Sequence, residues 1–299
     1  MSFWVSHEVI TGYPQLVDFK SVMTASGEYY RNLPTRQTLK ITGGPHSKAL
    51  FLKRHLGVGW REIFKNLLQG RLPVIGAENE LKAIRRLEQI GVDTLTCVGF
   101  GKMGSNPARQ QSFIVTEDLT GSLSLEEFTA GWENEKPSAE RVKLKRLVIQ
   151  RLAMIARQLH ESGVNHRDFY LCHFHLWRQQ WIAVAEKPVN AEEMTSPRLV
   201  LIDLHRVQIR RRLPLRWRLK DLAGLYFSAM DAGLTQRDCL RFIAEYGRVT
   251  TPPEARPLGL KKLLQQDGKF WSKVDCQARK LYYKAHRRYP PVAWPQRWC

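Results

Sequence analysis

Cysteine is scarce in this sequence, and long apolar runs do not occur in it. The five cysteines stand at scattered positions without a Cys-x-x-Cys pair, which argues against a disulfide framework and against a zinc ribbon. We therefore expect reduced, mostly buried thiols. No apolar run reaches the ~20 residues that a membrane-spanning helix needs, and the first residues lack the basic-then-apolar order of a secretory signal. We expect synthesis and retention in the cytosol.

Acidic residues are also few relative to basic ones. The 28 Asp and Glu face 47 Lys and Arg, which gives a formal net charge of +19. Such a chain attracts phosphate-rich or acidic partners: nucleic acid, an anionic membrane face, an acidic substrate, or an acidic protein such as a carrier protein. Net charge alone does not choose among these classes.

Two segments concentrate the positive charge. Residues 205–220 contain seven Lys or Arg and no acidic residue, and residues 261–299 contain ten against two, interleaved with six Trp or Tyr. Basic and aromatic residues in this mixture suit a membrane interface or a nucleic acid. A solvated helical face with its aromatic side chains in the core explains the same pattern, and the sequence leaves both interpretations open.

The order of predicted elements separates a strand-rich part from a helical part. The first 60 residues predict strands and turns, and later residues predict helices with few strands. The expected strands are 37–41 and 49–54 around a hairpin turn at 42–45, then 94–99 and 112–116; the expected helices are 60–68 ending at Gly70, 77–89 stopped by Gly91, 144–159 closed by Gly163, 217–230, and one beginning at Thr235. Two short apolar stretches, 174–177 and 199–202, are also expected, and the spacing of 35 residues from Asp168 to Asp203 leaves room for a hairpin. We predict an α+β fold of two lobes, 1–118 and 119–299.

Two residues of opposite charge stand on neighbouring elements of the first lobe. Lys53 lies near the end of a predicted apolar strand, and Glu80 lies on the helix that follows. A strand lysine brings a fixed positive charge to the α- and β-phosphates of a nucleotide, and a carboxylate on the next helix holds that lysine extended. Either residue alone is commonplace, because most such residues are surface charges.

Two aspartates follow in the second lobe. Asp168, in Asn165-His166-Arg167-Asp168, comes just after the long helix, where a loop is expected. It can accept the proton of an attacking hydroxyl and orient that hydroxyl in line. Asp203 closes the apolar strand 199–202, a place suited to holding Mg²⁺ on the nucleotide phosphates, although a strand-end carboxylate that accepts turn amides looks the same. The ordered set of four residues predicts an ATP-dependent phosphotransferase with Asp168 as catalytic base.

Longer runs make the prediction more specific. They are LKRH at 52–55, GVGWREI at 57–63, LPVIGA at 72–77, AIRRL at 83–87, SFIVTEDL at 112–119, NHRDFYLCHF at 165–174, IDLHR at 202–206 and KDLAGLYFS at 220–228. In these runs the sequence resembles protein kinases, and more closely the lipopolysaccharide core heptose(I) kinase family of Gram-negative bacteria. The resemblance covers most of the chain.

The resemblance implies a bilobal protein-kinase-like fold and a reaction. ATP with Mg²⁺ would phosphorylate a hydroxyl of an inner-core heptose of lipopolysaccharide, at the cytosolic face of the inner membrane. Glu117 to Leu119 would be the hinge whose backbone holds the adenine, and Asp221 would brace the catalytic loop. Lipopolysaccharide core is then the expected partner, with peripheral membrane contact, and nucleic acid is not expected.

The sequence departs from ordinary protein kinases at three places. No Gly-x-Gly-x-x-Gly precedes Lys53, so the stretch from Gly27 to Arg36 must cover the phosphates in another way. The usual metal-binding asparagine is replaced by His173, and imidazole is a poor ligand for Mg²⁺. We keep His173 as a second metal candidate beside Asp203. Asp203-Leu204-His205 replaces Asp-Phe-Gly and lacks its glycine hinge.

Other hypotheses fit parts of the sequence. The acceptor could be another envelope sugar or a protein side chain, although the absent glycine motif argues against a dedicated protein kinase. A basic binding module on a relic kinase fold is a second alternative, but a relic tolerates loss of Lys53, Asp168 or Asp203, and all three are present. A zinc site among the histidines is a third, without a supporting His-Glu-x-x-His spacing.

Overall fold

The computed structural model describes residues 1–43, 47–69, 73–134, 136–186, 198–248 and 259–291. Several residues used above lie outside these ranges. They are Gly44 and Pro45 of the predicted turn, the predicted helix stop Gly70, Leu72 of one family-like run, and Trp294, Trp298 and Cys299 near the end of the chain.

The chain divides into two compact units. The N-terminal unit comprises Met1–Gln89, Thr94–Thr120 and Asp203–Val207, and the C-terminal unit comprises Ile90–Asp93, Gly121–Ile202 and Gln208–Cys299. The first is built on a sheet and the second mainly on helices, which confirms the predicted α+β class.

The N-terminal unit is organised around one antiparallel sheet of six strands. The strands are β1 (Ser2–Val5), β2 (Glu28–Leu33), β3 (Arg36–Ile41), β4 (Leu50–His55), β5 (Cys97–Met103) and β6 (Gln111–Glu117). Their order across the sheet is β1-β5-β6-β4-β3-β2. The predicted hairpin of β3 and β4 is confirmed, with Leu39 opposite Leu52, whereas β5 begins at Cys97 rather than at Thr94.

The two faces of β4 differ because successive side chains point to opposite sides of a strand. Leu50 and Leu52 lie on the face that forms the core with Leu16 and Phe113. Lys53 lies on the other face. The alternation therefore buries the leucines in the core and places Lys53 on the opposite face, with the candidate site.

Two short helices contradict the expectation of strands and turns alone before residue 60. They are α1 (His7–Gly12) and α2 (Phe19–Thr24), with a 3-10 turn between them at Pro14–Leu16. Asp18 caps α2 by accepting from the Ser21 amide at 2.8 Å, and Phe19 and Val22 are buried in the core under the sheet. Segments this short carry too little periodicity to show, and packing on the sheet stabilises them.

Two further helices of this unit agree with the sequence. They are α3 (Gly59–Leu68) and α4 (Glu78–Gln89). Helix α4 buries Leu81, Ile84 and Leu87, the face predicted from their spacing. Gly91 follows α4 with φ of 70°, as expected for a residue that stops a helix.

The C-terminal unit consists of helices and very short strands. The helices are α5 (Leu125–Thr129), α6 (Ala139–Glu161), α7 (Arg178–Glu186), α8 (Leu215–Ala229), α9 (Gln236–Tyr246) and α10 (Leu260–His286); the strands are β7 (Leu123–Ser124), β8 (Val164–Asn165), β9 (Phe174–Leu176), β10 (Val200–Leu201) and β11 (Gln208–Ile209). Strands β10, β9 and β7 form one small sheet, and β11 pairs with β8. The long predicted helix is α6, whose buried face includes Leu152, Ile155 and Leu159.

One helix was not expected. Strands β9 and β10 pair antiparallel, as the predicted hairpin requires, but α7 lies between them in the chain. Its Trp181 is fully buried and donates to the Arg198 carbonyl at 3.2 Å. The apolar residues of this helix form one unbroken run, 181–185, so its sequence shows no helical periodicity.

Helix α10 contains most of the basic and aromatic C-terminal segment. Trp271 and Tyr282 are buried, whereas Tyr283 and Tyr289 are exposed. Both interpretations offered above therefore apply to part of the segment. Within the part of the chain that the structure describes, no helix is long and apolar enough to cross a membrane.

The four described cysteines are free thiols. Cys239 is buried, Cys97 and Cys172 are partly buried, and Cys276 is exposed, so the expectation of burial fails for Cys276. Burial raises the pKa of Cys97 to about 12 and that of Cys239 to about 12. These two thiols are therefore poor nucleophiles at neutral pH.

Candidate active site

Lys53 and Glu80 form a buried ion pair in the N-terminal unit. Strand β4 supplies the lysine and α4 supplies the glutamate, and the Nζ and Oε1 atoms lie 2.5 Å apart. The Glu80 side chain is fully buried and that of Lys53 is 14% exposed. A buried carboxylate needs a charged partner, so this pair holds the lysine ammonium in a fixed position.

Asp203 lies in the same unit, in an unusual backbone conformation. Its φ of 59° and ψ of 51° are left-handed, a region that residues other than glycine rarely adopt. Its Oδ1 accepts from His205 Nδ1 at 2.6 Å, and Leu204 between them is buried. The aspartate is thus oriented by the histidine that stands where protein kinases have glycine.

Asn79 connects this segment to α4. Its side-chain amide donates to the carbonyl oxygens of His205 and Val207, both at 2.9 Å. Because Glu80 is the next residue on the helix, one turn of α4 positions both the partner of Lys53 and the segment that begins at Asp203. Asn79 was not among the predicted site residues, and its position beside Glu80 was the available signal.

Arg36 and His55 were missed as members of this cluster. They are opposite each other in the β3–β4 register, and His55 lies two residues after Lys53, hence on the same face. Burial lowers the pKa of Arg36, while Glu80 and Asp203 raise it. Burial, then the Arg36 charge, lowers the pKa of His55 to about 4. Arg36 is therefore a second cation near the two carboxylates, and His55 is neutral at pH 7.

Glu117 and Leu119, the predicted adenine-binding residues, lie at the end of β6 in the same unit. The Glu117 amide donates to the Thr96 carbonyl at 3.0 Å, and the Asp118 amide donates to the Ala49 carbonyl at 2.9 Å. The Glu117 carboxylate pairs with Lys48 at 3.1 Å. Leu119 is partly buried. Hydrogen bonds to two neighbouring segments therefore fix the backbone here.

Asp168 lies in the C-terminal unit, on the loop after β8. Buried Asp221 on α8 accepts from the amides of His166 and Arg167, at 2.7 and 2.9 Å. His166 Nε2 donates to the carbonyl of Ile202, the residue before Asp203, at 2.9 Å. Arg167 has a φ of 77°, a strained conformation for a side-chain-bearing residue, and these hydrogen bonds help to stabilise it.

His173 braces the same loop. Its Nδ1 lies 2.6 Å from the carbonyl oxygen of Asp168. A carbonyl oxygen only accepts, so Nδ1 carries the proton, which makes Nε2 the unprotonated nitrogen of the neutral imidazole.

The structure thus places the predicted residues in two sets. Lys53, Glu80, Asp203, Glu117 and Leu119 belong to the N-terminal unit, where ion pairing and α4 bring the first three into one cluster. Asp168 and His173 belong to the C-terminal unit, joined by a hydrogen bond.

Comparison with known proteins identifies the family of this chain. The model of the lipopolysaccharide kinase (Kdo/WaaP) family matches residues 20–246. The chain belongs to this family. The resemblance seen in the sequence is confirmed, and the chain is a phosphotransferase that uses ATP as its phosphoryl donor.

Curated relatives agree over nearly the whole length. The chain is 44% identical over 269 residues to a lipopolysaccharide core heptose(I) kinase WaaP of Pseudomonas aeruginosa, covering 90% of this chain and 91% of the relative. It is 43% identical over 270 residues to the protein of the same name from Escherichia coli, covering 90% and 93%.

A solved structure described as WaaP in complex with acyl carrier protein is similar in fold. Its TM-score is 0.71 at 38% sequence identity, and the match covers 94% of this chain and all of the other. The predicted bilobal, protein-kinase-like fold class is thereby confirmed.

Proposed function

We propose that this family member transfers the γ-phosphoryl group of ATP to a hydroxyl of an inner-core heptose of lipopolysaccharide, during core biosynthesis. The buried Lys53–Glu80 ion pair is the main support for this proposal, because in a chain of this family it supplies a fixed positive charge for binding the phosphates of ATP. Both curated relatives described above are named as heptose(I) kinases of the lipopolysaccharide core.

In this proposal, residues of the N-terminal unit bind ATP. Lys53 binds the α- and β-phosphates, Glu80 holds it, and the backbone from Glu117 to Leu119 binds the adenine. Arg36 adds a second positive charge in the cluster with Glu80 and Asp203. It lies at the start of β3, beside the exposed strand β2. In this proposal its charge contacts the phosphates of ATP, a role that the glycine-rich loop has in protein kinases.

A divalent cation fits Asp203. Its carboxylate is partly exposed, 32% by side chain, and oxygen is the ligand that Mg²⁺ prefers. When bound, the metal neutralises charge on the β- and γ-phosphates. His173 is a second candidate ligand through Nε2, and Mg²⁺ is the ion we expect.

Asp168 acts on the acceptor. The heptose hydroxyl gives its proton to the Asp168 carboxylate while its oxygen forms a bond to the γ-phosphorus. The bond from that phosphorus to the β–γ bridging oxygen breaks, and ADP leaves with its electron pair. His173 and Asp221 hold the loop from both sides of Asp168.

The experiment is phosphate transfer to delipidated core oligosaccharide that contains heptose without phosphate. Wild-type protein with Mg-ATP should give a phosphorylated sugar, and the NMR spectrum of the product identifies the hydroxyl. Asp168→Asn should lose turnover by a factor of about 1,000 while still binding nucleotide. Exposed Asp267 supplies the matched control, Asp267→Asn, which should keep full activity. Absence of transfer by wild type with every divalent metal contradicts the proposal, as does preference for peptide acceptors.

We also infer contact with the cytosolic face of the inner membrane and with an acidic carrier protein. The net charge of +19 supports both partners. The solved relative is described with acyl carrier protein, and the C-terminal unit contains an apolar cavity of about 90 Å³ lined by residues such as Leu152, Leu222 and Val274. Such a cavity suits an acyl chain. Titration with acylated and unacylated carrier protein tests this, and equal affinities contradict the use of the cavity.

For the lobes we retain the predicted boundary between residues 118 and 119 as a proposal. Expression of residues 1–118 and 119–299 as two chains tests it, because compact lobes should protect each fragment from proteolysis.

A further inference from the structure

Helix α3 exposes an apolar face. Of its apolar side chains only Ile63 is buried. Trp60, Phe64, Leu67 and Leu68 are 49, 56, 50 and 89% exposed. The rings of Trp60 and Phe64 stack with centroids 5.7 Å apart.

The four exposed residues occupy one side of the helix. Phe64, Leu67 and Leu68 follow Trp60 by four, seven and eight residues. In a helix with 3.6 residues per turn, this spacing places all four side chains on one stripe. A surface helix normally turns such a stripe toward the core. A contiguous exposed apolar patch instead marks an interaction surface.

Basic residues border this stripe. Arg61 and Lys65 are exposed on the same helix. The helix N-terminus is fastened to the loop after β5 by the bond from the Gly59 amide to the Ala108 carbonyl, at 3.0 Å, which brings exposed Arg109 beside it. The one acidic residue of α3, Glu62, already pairs with Lys65 at 3.5 Å.

We propose that the apolar face of α3 inserts into the surface of an anionic lipid bilayer. A projecting ridge of Trp, Phe and Leu enters the headgroup–acyl boundary, where tryptophan is favoured. Arg61 and Arg109 then meet the negative headgroups, while Lys65 offsets the charge of Glu62. A deformable lipid surface accommodates these exposed side chains without a complementary groove. The inference rests on the proposed function for one point, that the acceptor is a membrane-bound glycolipid.

Vesicle sedimentation tests the proposal with the full chain. Vesicles of phosphatidylethanolamine and phosphatidylglycerol in a 3:1 ratio should bind wild-type protein, and phosphatidylcholine vesicles should bind it less. Phe64→Asp with Leu68→Asp should weaken binding about 100-fold, because two exposed apolar side chains are replaced by charges that repel the lipid. Arg61→Gln with Arg109→Gln should weaken binding to the anionic vesicles about 10-fold and reduce its salt dependence.

The matched control lies in the C-terminal unit. Leu215→Asp with Tyr289→Asp replaces two exposed apolar residues of similar size, 57 and 80% exposed, in or beside its two basic segments. This variant should bind vesicles like wild type. Equal losses in both variants overturn the assignment to α3, and so does absence of wild-type binding. Circular dichroism shows whether each variant is folded; a variant that unfolds is replaced by Phe64→Ser with Leu68→Ser, for which the same loss is expected.

Three further measurements separate the competing outcomes: turnover, binding of acyl carrier protein, and oligomeric state. Turnover on delipidated core oligosaccharide should be unchanged in the α3 variant, so failure of the proposed function shows in that assay and failure of membrane binding shows in the vesicles. If the α3 variant binds vesicles normally but loses acyl carrier protein, the face docks a protein. If it binds vesicles normally and only the wild type dimerises, the face is a contact between copies. Either result overturns the proposal.

Discussion

The Lys53 ammonium and the Glu80 carboxylate lie 2.5 Å apart although 27 residues separate them in the chain. Replacing Lys53 by Met should reduce turnover about 100-fold or more, because a fixed charge on the phosphates is lost. It should also lower the free energy of unfolding by about 3 kcal/mol, since Glu80 is left buried without its partner. Urea unfolding and steady-state kinetics measure the two effects.

A double replacement separates pairing from catalysis. Lys53→Met with Glu80→Met should recover part of the lost stability but none of the activity, because no charge then remains buried there. Lys48→Met breaks the exposed pair with Glu117 and should cost less than about 1 kcal/mol. If the double variant is less stable than either single one, the pair is not coupled as described.

The hydrogen bond from His173 to the Asp168 carbonyl gives a test of the histidine's role. His173→Ala should lower kcat about 10-fold or more by releasing the loop. His173→Asn, which restores a donor and supplies an oxygen, should recover activity with Mg²⁺. Electron paramagnetic resonance of bound Mn²⁺ adds a separate readout: a change in the wild-type spectrum on His173→Ala assigns His173 as a ligand, whereas an unchanged spectrum leaves loop bracing as its role.

Gly163, which precedes the catalytic loop, has a φ of 75°, and a Cβ there would lie 1.8 Å from the Arg210 carbonyl oxygen. Gly163→Ala should therefore cost about 3 kcal/mol or more, from backbone strain together with the clash. Gly131 is the matched control: its φ is 80°, with nothing within 4 Å of the position of a Cβ. Gly131→Ala should cost only about 1 kcal/mol. Equal melting temperatures for the two variants would show that the clash relaxes without cost.

The buried neutral His55 makes stability depend on pH. Burial lowers its pKa to about 4 in the folded chain, against an ordinary value of 6.5, so the unfolded chain binds more protons between these values. Stability is therefore complete above pH 6.5 and falls by about 2 kcal/mol as the pH drops to 4.5. Glu78, with a pKa lowered to about 2 chiefly by Lys102, acts mainly below that window. His55→Asn should flatten the profile between pH 6.5 and 4.5 in urea unfolding, and an unchanged slope would contradict this origin.

Some of the fold was visible in the sequence because the pattern is local. Apolar residues at helical spacing predicted α4 and α6, and the turn residues at 42–45 between two strand segments predicted the β3–β4 hairpin. Helices α1, α2 and α7 were missed because they are short or weakly periodic, and burial of residues such as Phe19 and Trp181 stabilises them.

The sequence by itself determined the chemistry available to this protein: the order of Lys53, Glu80, Asp168 and Asp203, the family and the positive charge. Tertiary structure decided what surrounds these groups. It brought Arg36 and His55 to the face of Lys53, joined Asn79 to the segment after Asp203, and left the apolar side of α3 in solvent. The physical reason is that charge and spacing are properties of the chain, whereas burial and contacts between distant residues exist only after folding.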